Sequence, residues 1–417
     1  MKSVYIHIPF CHDICSYCDF CKTRYKKDWV DKYLESLEYE IKTRYKGEKI
    51  RTLYIGGGTP SILNIDELNK LFAITNLFNK EGLEEFTIEC NIESLSNEKL
   101  ILFKKNNVNR LSIGVQTFND KYIKLLNRNH TKEEVFEKIE MAKMIGFDNI
   151  NVDLMYALPD ETLNDLEYDV VNILRLNVEH ISCYSLMIEP NTKLFIEKIK
   201  PINEDIDYEM YKYIEKRLNN REYNHYEISN YSKIGYESKH NLVYWNNEYY
   251  YGFGLSASGY LEGYRYDNTK NLNKYNVHNF IVNVVKISDE DKLRYELILG
   301  FRKIRGINKK DFSNKYGIDI YDVFNIRELL NKGMLKEDEE YIFISDEWIY
   351  KSNEILVRNN NDIENQIIDE IMKYIKSNIK TISDVELFEI MDKDCDGLIN
   401  FSDFKKFFDV FISFTNK

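Results

Sequence analysis

Tyr5-Ile-His-Ile-Pro9-Phe-Cys11-His-Asp-Ile-Cys15-Ser-Tyr-Cys18 begins as a short β run, Val4 to Ile8, and ends as a loop carrying three thiols. Three residues separate the first pair of thiols and two the second, so one loop can wrap one inorganic centre. Soft thiolates select iron–sulphur clusters or zinc. Three ligands would leave one iron of a cluster open to an outside donor, whereas zinc more often uses paired Cys-x-x-Cys half-sites or a further ligand along the chain. At this level both readings stand. Four of the seven cysteines fall between positions 11 and 21, and in a reducing compartment such a group points to metal ligation before disulphide formation.

Outward from that stretch, short β runs alternate with amphipathic helical segments. The strands are expected at Val4 to Ile8, Thr52 to Ile55, Phe86 to Glu89, Arg110 to Val115, Asn149 to Leu154 and His180 to Leu186. Val30 to Tyr45, Ile65 to Phe78 and Glu133 to Met144 carry helical periodicity between them. Alternation of this kind predicts an α/β fold with a parallel sheet, here a partial (βα)6 TIM-like barrel over residues 1–200. The active face then lies at the strand C-termini. Residues 201–285 open with a helix near Asp207 to Leu218 and continue as an aromatic-rich region, expected to pack on the barrel as irregular β structure. Residues 286–357 show three helical patterns and a β-wing from Met334 to Ser345, predicting a winged-helix-like module. An Asn-rich linker opens the tail at 358–417, which is expected to be short and helical.

The bulk numbers exclude several classes. A chain of 417 residues suggests two or three units at roughly 100–200 residues each. The formal net charge of −12 argues against a general binder of nucleic acid. No apolar run approaches the ~18 residues needed to span a bilayer, and the start of the chain lacks signal-peptide anatomy. The expectation is a cytoplasmic protein without a transmembrane segment; the composition leaves peripheral membrane contact open.

Polar residues recur at the ends of apolar strands. Gly56-Gly57-Gly58-Thr59-Pro60 follows the second strand, where missing side chains let backbone groups approach a ligand. Glu89 closes the third strand, Gln116 follows the fourth, and Asp153 sits on the fifth. Each is either a ligand contact or a polar group satisfied within the core.

The strand followed by CxxxCxxC resembles the radical S-adenosylmethionine superfamily, and over residues 3–357 the chain is similar to the oxygen-independent coproporphyrinogen III oxidase group. The resemblance implies a [4Fe–4S] cluster on Cys11, Cys15 and Cys18, whose open iron chelates S-adenosylmethionine. It further implies cofactor contacts from Tyr5, Tyr17, Gly57, Gly58, Thr59, Glu89, Gln116, Arg128 and Asp153.

That group contains both a porphyrinogen decarboxylase and haem chaperones. The decarboxylase pattern has a cysteine two residues after the third cluster ligand; here Phe20 occupies that position and the extra thiol is Cys21. The decarboxylase also carries a long N-terminal extension, and with ten residues before Cys11 none is expected. His240-Asn-Leu-Val-Tyr244-Trp245 looks like the HNxxYW signature of the haem chaperones. An imidazole is a good axial ligand for haem iron, and Tyr and Trp offer flat apolar surface. The reading is therefore a haem carrier that passes haem to an acceptor protein, with His240 as axial ligand and a homodimer as a candidate state. The alternative is a radical porphyrinogen oxidase, and whether S-adenosylmethionine is turned over stays open; no catalytic residue is assigned.

The tail has a separate character. Asp392, Asp394, Asp396, Asn400 and Asp403, with the backbone carbonyl of Leu398, occupy the oxygen-donor positions of a loop that resembles an EF-hand for Ca2+ or Mg2+. Asp403 stands where the loop normally has a bidentate Glu, which predicts weaker calcium binding.

Overall fold

The computed structural model describes residues 1–352 except Phe324. The linker and the EF-hand-like loop lie outside the described residues.

Six parallel strands form the centre of the fold: β1 (Lys2–Ile8), β2 (Ile50–Gly57), β3 (Glu85–Asn91), β4 (Arg110–Gln116), β5 (Ile150–Tyr156) and β6 (His180–Ser185). All six coincide with the expected strands. Their outward residues, among them Leu111, Ile113 and Val115 on β4, are fully buried under the helices. Both faces of a strand flanked by crossover helices leave water, and hence the near-continuous apolar runs. The helices Lys27–Arg44, Ile65–Thr75, Asn97–Lys105, Lys132–Met144 and Leu163–Leu176 return the chain from one strand to the next. Several start with a reciprocal cap. Asn64 with Glu67, Thr131 with Glu134, and Thr162 with Asp165 satisfy the first free amides, each cap stabilising its helix by about 1 kcal/mol.

The region 201–285 departs from the expectation of a layer packed on the barrel, because its strands join the barrel's own sheet. Asn224–Glu227 and Asn230–Ser232 extend the sheet beyond β6. At the opposite edge Tyr250–Gly254 pairs parallel to β1, a seventh parallel strand, and is followed by Ser258–Leu261, Tyr264–Asn268 and Ile281–Lys286. The result is one 12-stranded sheet that does not close on itself, an open barrel, whose edge at Glu227 is bridged by Lys303. The aromatic-rich composition concealed this, since tyrosine fits a half-buried strand as well as an irregular loop. Glu40 anchors the extension: its buried carboxylate accepts from Gly254 N (2.9 Å), Tyr275 Oη (2.6 Å) and Asn268 Nδ2 (2.7 Å) and pairs with Arg44.

Residues after 287 form the helices Asp289–Gly300, Lys309–Tyr316 and Ile326–Asn331 and a three-stranded antiparallel sheet. Its hairpin, Leu335–Glu337 with Tyr341–Ile344, falls where the wing was expected. Among the described residues no helix is long and apolar enough to cross a membrane.

Candidate functional site

At the C-terminal ends of the parallel strands the chain leaves β1 at Ile8 and enters the cysteine loop. A two-residue parallel ladder, Phe10–Cys11 with Thr23–Arg24, closes the base of that loop. Thr23 N donates to Pro9 O (2.7 Å) and Tyr25 N to Cys11 O (2.9 Å). The loop is also tied across the barrel mouth: Ser16 N donates to Leu126 O, Asn127 Nδ2 to Ile14 O and Asn129 Nδ2 to Asp13. His7, which the sequence reading passed over, points inward from β1, receives Tyr5 Oη at 3.0 Å and pairs through Nε2 with Cys21 O at 2.8 Å. Its signal was present in the sequence, because it alternates with Tyr5 on the inward face of an otherwise apolar strand.

Each of the three thiols meets a side-chain donor, Cys18 that of Lys22. Thr59 Oγ1 lies 3.7 Å from Cys11 Sγ, and Arg128 Nη1 lies 3.8 Å from Cys15 Sγ. Lys22 donates to the carbonyl of Cys18. Burial pushes the Cys11 thiol up to about 12, opposed by Thr59, and also raises Cys18, opposed by Lys22. Such thiols stay protonated until a metal centre displaces the proton. Among the described residues no three His, Cys, Asp or Glu side chains converge closely enough to hold a single metal ion, the loop cysteines included. What the loop offers is three separated sulphurs with donors aimed at them.

The glycine turn after β2 locks against the loop. Gly58 N donates to Ile8 O and Thr59 N to Phe10 O, both at 2.8 Å. Gly57 has φ +115°, and a Cβ there would fall 2.6 Å from the His7 ring. Its amide donates to Glu89 Oε2 (2.9 Å), while Tyr54 Oη donates to Glu89 Oε1 (2.8 Å). Burial lifts the Glu89 carboxyl to about 7 against these two bonds.

Arg128 is buried beside the loop. Its Nη2 donates to Gly114 O (2.5 Å) and its Nε faces Glu93 at 3.8 Å, with no hydrogen bond of its own. Gln116 holds φ +72°, a left-handed conformation that a non-glycine residue adopts at a cost. Over Gly114 the side chains of Gln116, Asn91 and Arg128 crowd together, and Asn91 Nδ2 continues to Thr59 Oγ1 (3.2 Å). Asp153 accepts from Asn151 Nδ2 (2.7 Å), and burial raises its carboxyl. Tyr17 stands between Cys15, Arg128 and Asp153, its phenol raised chiefly by burial. The structure thus brings Tyr5, Tyr17, Gly57, Gly58, Thr59, Glu89, Gln116, Arg128 and Asp153 to one end of the barrel, with Cys11, Cys15 and Cys18 above them. Asn91, Glu93, Lys22 and Tyr54 belong to the same constellation and were missed, each a polar residue beside a position already singled out.

His240 is elsewhere. It lies on the helix Lys239–Trp245 beneath the N-terminal ends of the strands and is 1% exposed. Nδ1 pairs with Thr52 Oγ1 (2.7 Å), Nε2 with Tyr244 Oη (2.8 Å), and the ring stacks on Tyr54 at 5.1 Å. Glu85 accepts from the amides of Lys239 and His240. Burial, helped by Arg110 and Arg51, lowers the imidazole to about 3, so it is neutral. With both nitrogens engaged, the ring is held as a strut in the barrel floor, away from the cysteine loop. A cleft of about 840 Å3, lined by Met1, Lys2, Tyr249, Tyr260, Lys292 and Tyr316 among others, is also remote from the cysteines.

Comparison with known proteins agrees with this geometry. The Radical SAM superfamily profile matches residues 5–170, and that of the HemN C-terminal domain matches residues 287–347. The chain is 40% identical over 369 residues to the heme chaperone HemW of Lactococcus lactis subsp. lactis, covering 85% of this chain and 96% of that protein. It is 39% identical over 377 residues to HemW of Bacillus subtilis, covering 85% and 98%. Coproporphyrinogen III oxidase (HemN) from Escherichia coli, a radical SAM enzyme, superposes with a TM-score of 0.75 at 23% identity, over 86% of this chain and 89% of that one. At that identity the likeness shows the fold alone.

Proposed function

The chain belongs to the HemW heme chaperone family of radical SAM proteins, and from that premise we propose that it binds haem and hands it to an acceptor protein in the cytoplasm, with a [4Fe–4S] cluster and S-adenosylmethionine as resident groups. The observation that carries this reading is the 40% identity to a protein named as a heme chaperone, sustained over 96% of that protein's length. Phe20 at the position where the decarboxylase pattern has its fourth cysteine points the same way.

The donor set fits the groups. Cys11, Cys15 and Cys18 hold the cluster, and the donors on Cys11 and Cys15 offset part of its negative charge. Arg128, with its unbonded Nε, supplies a fork for the cofactor's carboxylate. The Gly57–Thr59 turn, Tyr5, Tyr17, Glu89, Gln116 and Asp153 line the space below. The cluster and cofactor supply one-electron chemistry when bound; the chain's own residues orient them and exclude water. A second copy of the chain is a proposed partner, and His240 enters as the strut that keeps the floor closed.

A porphyrinogen oxidase is the competing reading, supported by the shared fold with HemN. The separating experiment incubates the anaerobically reconstituted protein with coproporphyrinogen III, S-adenosylmethionine and a reductant. We expect no release of carbon dioxide; release at a rate matching a decarboxylase control would replace the chaperone by the enzyme.

A further inference from the structure

The cleft of about 840 Å3 lies where the N-terminal ends of β1 and of the strand Tyr250–Gly254 meet the helices Asp289–Gly300 and Lys309–Tyr316. Its volume falls within the roughly 300–1,000 Å3 of small-molecule sites. The helix that carries His240 runs straight into its wall: Trp245 ends that helix, and Asn247, Glu248 and Tyr249 line the cleft. No residue of the cysteine loop lines it, so the cluster and S-adenosylmethionine leave it unused.

The lining is flat and cationic. Tyr249, Tyr260 and Tyr316 present aromatic surface, and Lys2, Lys292 and Lys315 stand among them. Tyr249 and Tyr260 meet edge to face at 4.8 Å, and the Lys2 ammonium lies 5.9 Å from the Tyr249 ring. Tyr249 is 40% exposed, and among the described residues its hydroxyl makes no hydrogen bond. Lys292 is close enough to act electrostatically on the phenols of both Tyr249 and Tyr260. The lysines have acidic partners: Lys2 pairs with Glu48, Lys292 with Asp289 and Lys315 with Glu296. These are partly exposed surface pairs, which contribute little and exchange readily for another carboxylate. A wide apolar plane with acids at its rim and a metal at its centre uses every part of this lining. Haem has that chemistry, with two propionates on one edge and an iron that accepts a tyrosine as axial ligand.

We infer that this cleft is the haem site, with Tyr249 as axial ligand to ferric iron and Lys2 and Lys315 as partners of the propionates. On binding, the phenol gives its proton to solvent and its oxygen takes the iron, while the charge of Lys292 favours the phenolate. The inference rests on the proposed function and gives its cargo a place, on the opposite side of the barrel from the cluster.

The test titrates the cluster-loaded full chain with ferric haem, ferric haem dimethyl ester and metal-free protoporphyrin. The variants are Tyr249→Phe, Tyr249→His and the pair Lys2→Gln with Lys315→Gln. Tyr249→Phe should displace the Soret band and weaken ferric haem by roughly 10-fold or more, and should leave the metal-free ring within about twofold of wild type. Tyr249→His should bind ferric haem again with a band unlike that of wild type, because imidazole takes the iron. The lysine variant should weaken haem by roughly 10-fold and leave the dimethyl ester within about twofold. A Tyr249→Phe variant with wild-type band and affinity would overturn the inference while the chaperone reading stands. Equal losses for haem and the metal-free ring in Tyr249→Phe, with a lowered ligand-free melting temperature, would also overturn it by marking Tyr249 as structural. Wild type that binds no haem would overturn both.

Discussion

The two ends of the barrel are built from similar residue types and put them to opposite uses. At the floor, polar groups close on one another: His240 spends both nitrogens on Thr52 and Tyr244, and His180 spends both on Asn151 and Tyr226. At the mouth, donors are aimed at sulphurs or left over, as with Arg128 Nε and the hydroxyl of Thr59. A histidine or arginine in a buried strand therefore says little until its partners are counted. A fully paired group holds the fold, and an incompletely paired one awaits a ligand.

The contrast breaks first at the thiols. Cys11→Ala, Cys15→Ala and Cys18→Ala should each abolish the visible absorption of the reconstituted cluster, whereas Cys21→Ala, Cys90→Ala and Cys183→Ala should retain it. Equal loss in Cys21→Ala would show that the mouth has a fourth ligand.

His240→Ala comes next. Removing the ring leaves Thr52 and Tyr244 unpaired beside a cavity, so chemical denaturation should show a loss of about 2–4 kcal/mol. The folded fraction should keep its iron–sulphur content and its Soret band with haem. A variant of full stability and altered Soret band would move haem to the floor. Gly57→Ala should cost roughly 1–3 kcal/mol, because the residue sits at φ +115° against His7. A wild-type melting temperature in that variant would show the turn to be pliable.

The smallest effect is in pH. Burial raises the Glu89 carboxyl from 4.5 to about 7 in the folded chain, so folding favours its protonated form. Its contribution to stability is present below pH ~4.5 and is lost as pH rises through ~7. Glu89→Gln cannot lose a proton, and metal-free Glu89→Gln should show a stability–pH slope flatter than wild type across that window. Parallel slopes would mean that folding does not raise the Glu89 carboxyl.

Much of the mouth was legible because its signals are local. Thiol spacing, a glycine run and single polar residues in apolar strands can each be recognised within a few residues, and all six central strands announced themselves by alternation with helices. The floor and the sheet edges were not legible, for physical reasons. Whether His240 is a ligand or a strut depends on Thr52 and Tyr54, which reach it only through folding, and the strands of 201–285 look like loops until β1 and β6 offer them edges.

The most direct test of the chaperone reading is a visible titration of the anaerobically reconstituted full chain with haem. The account predicts a Soret band that saturates near one haem per chain with the cluster absorption unchanged, and transfer of that band to an apo haem protein on mixing. A spectrum identical to free haem in buffer at every ratio would contradict it.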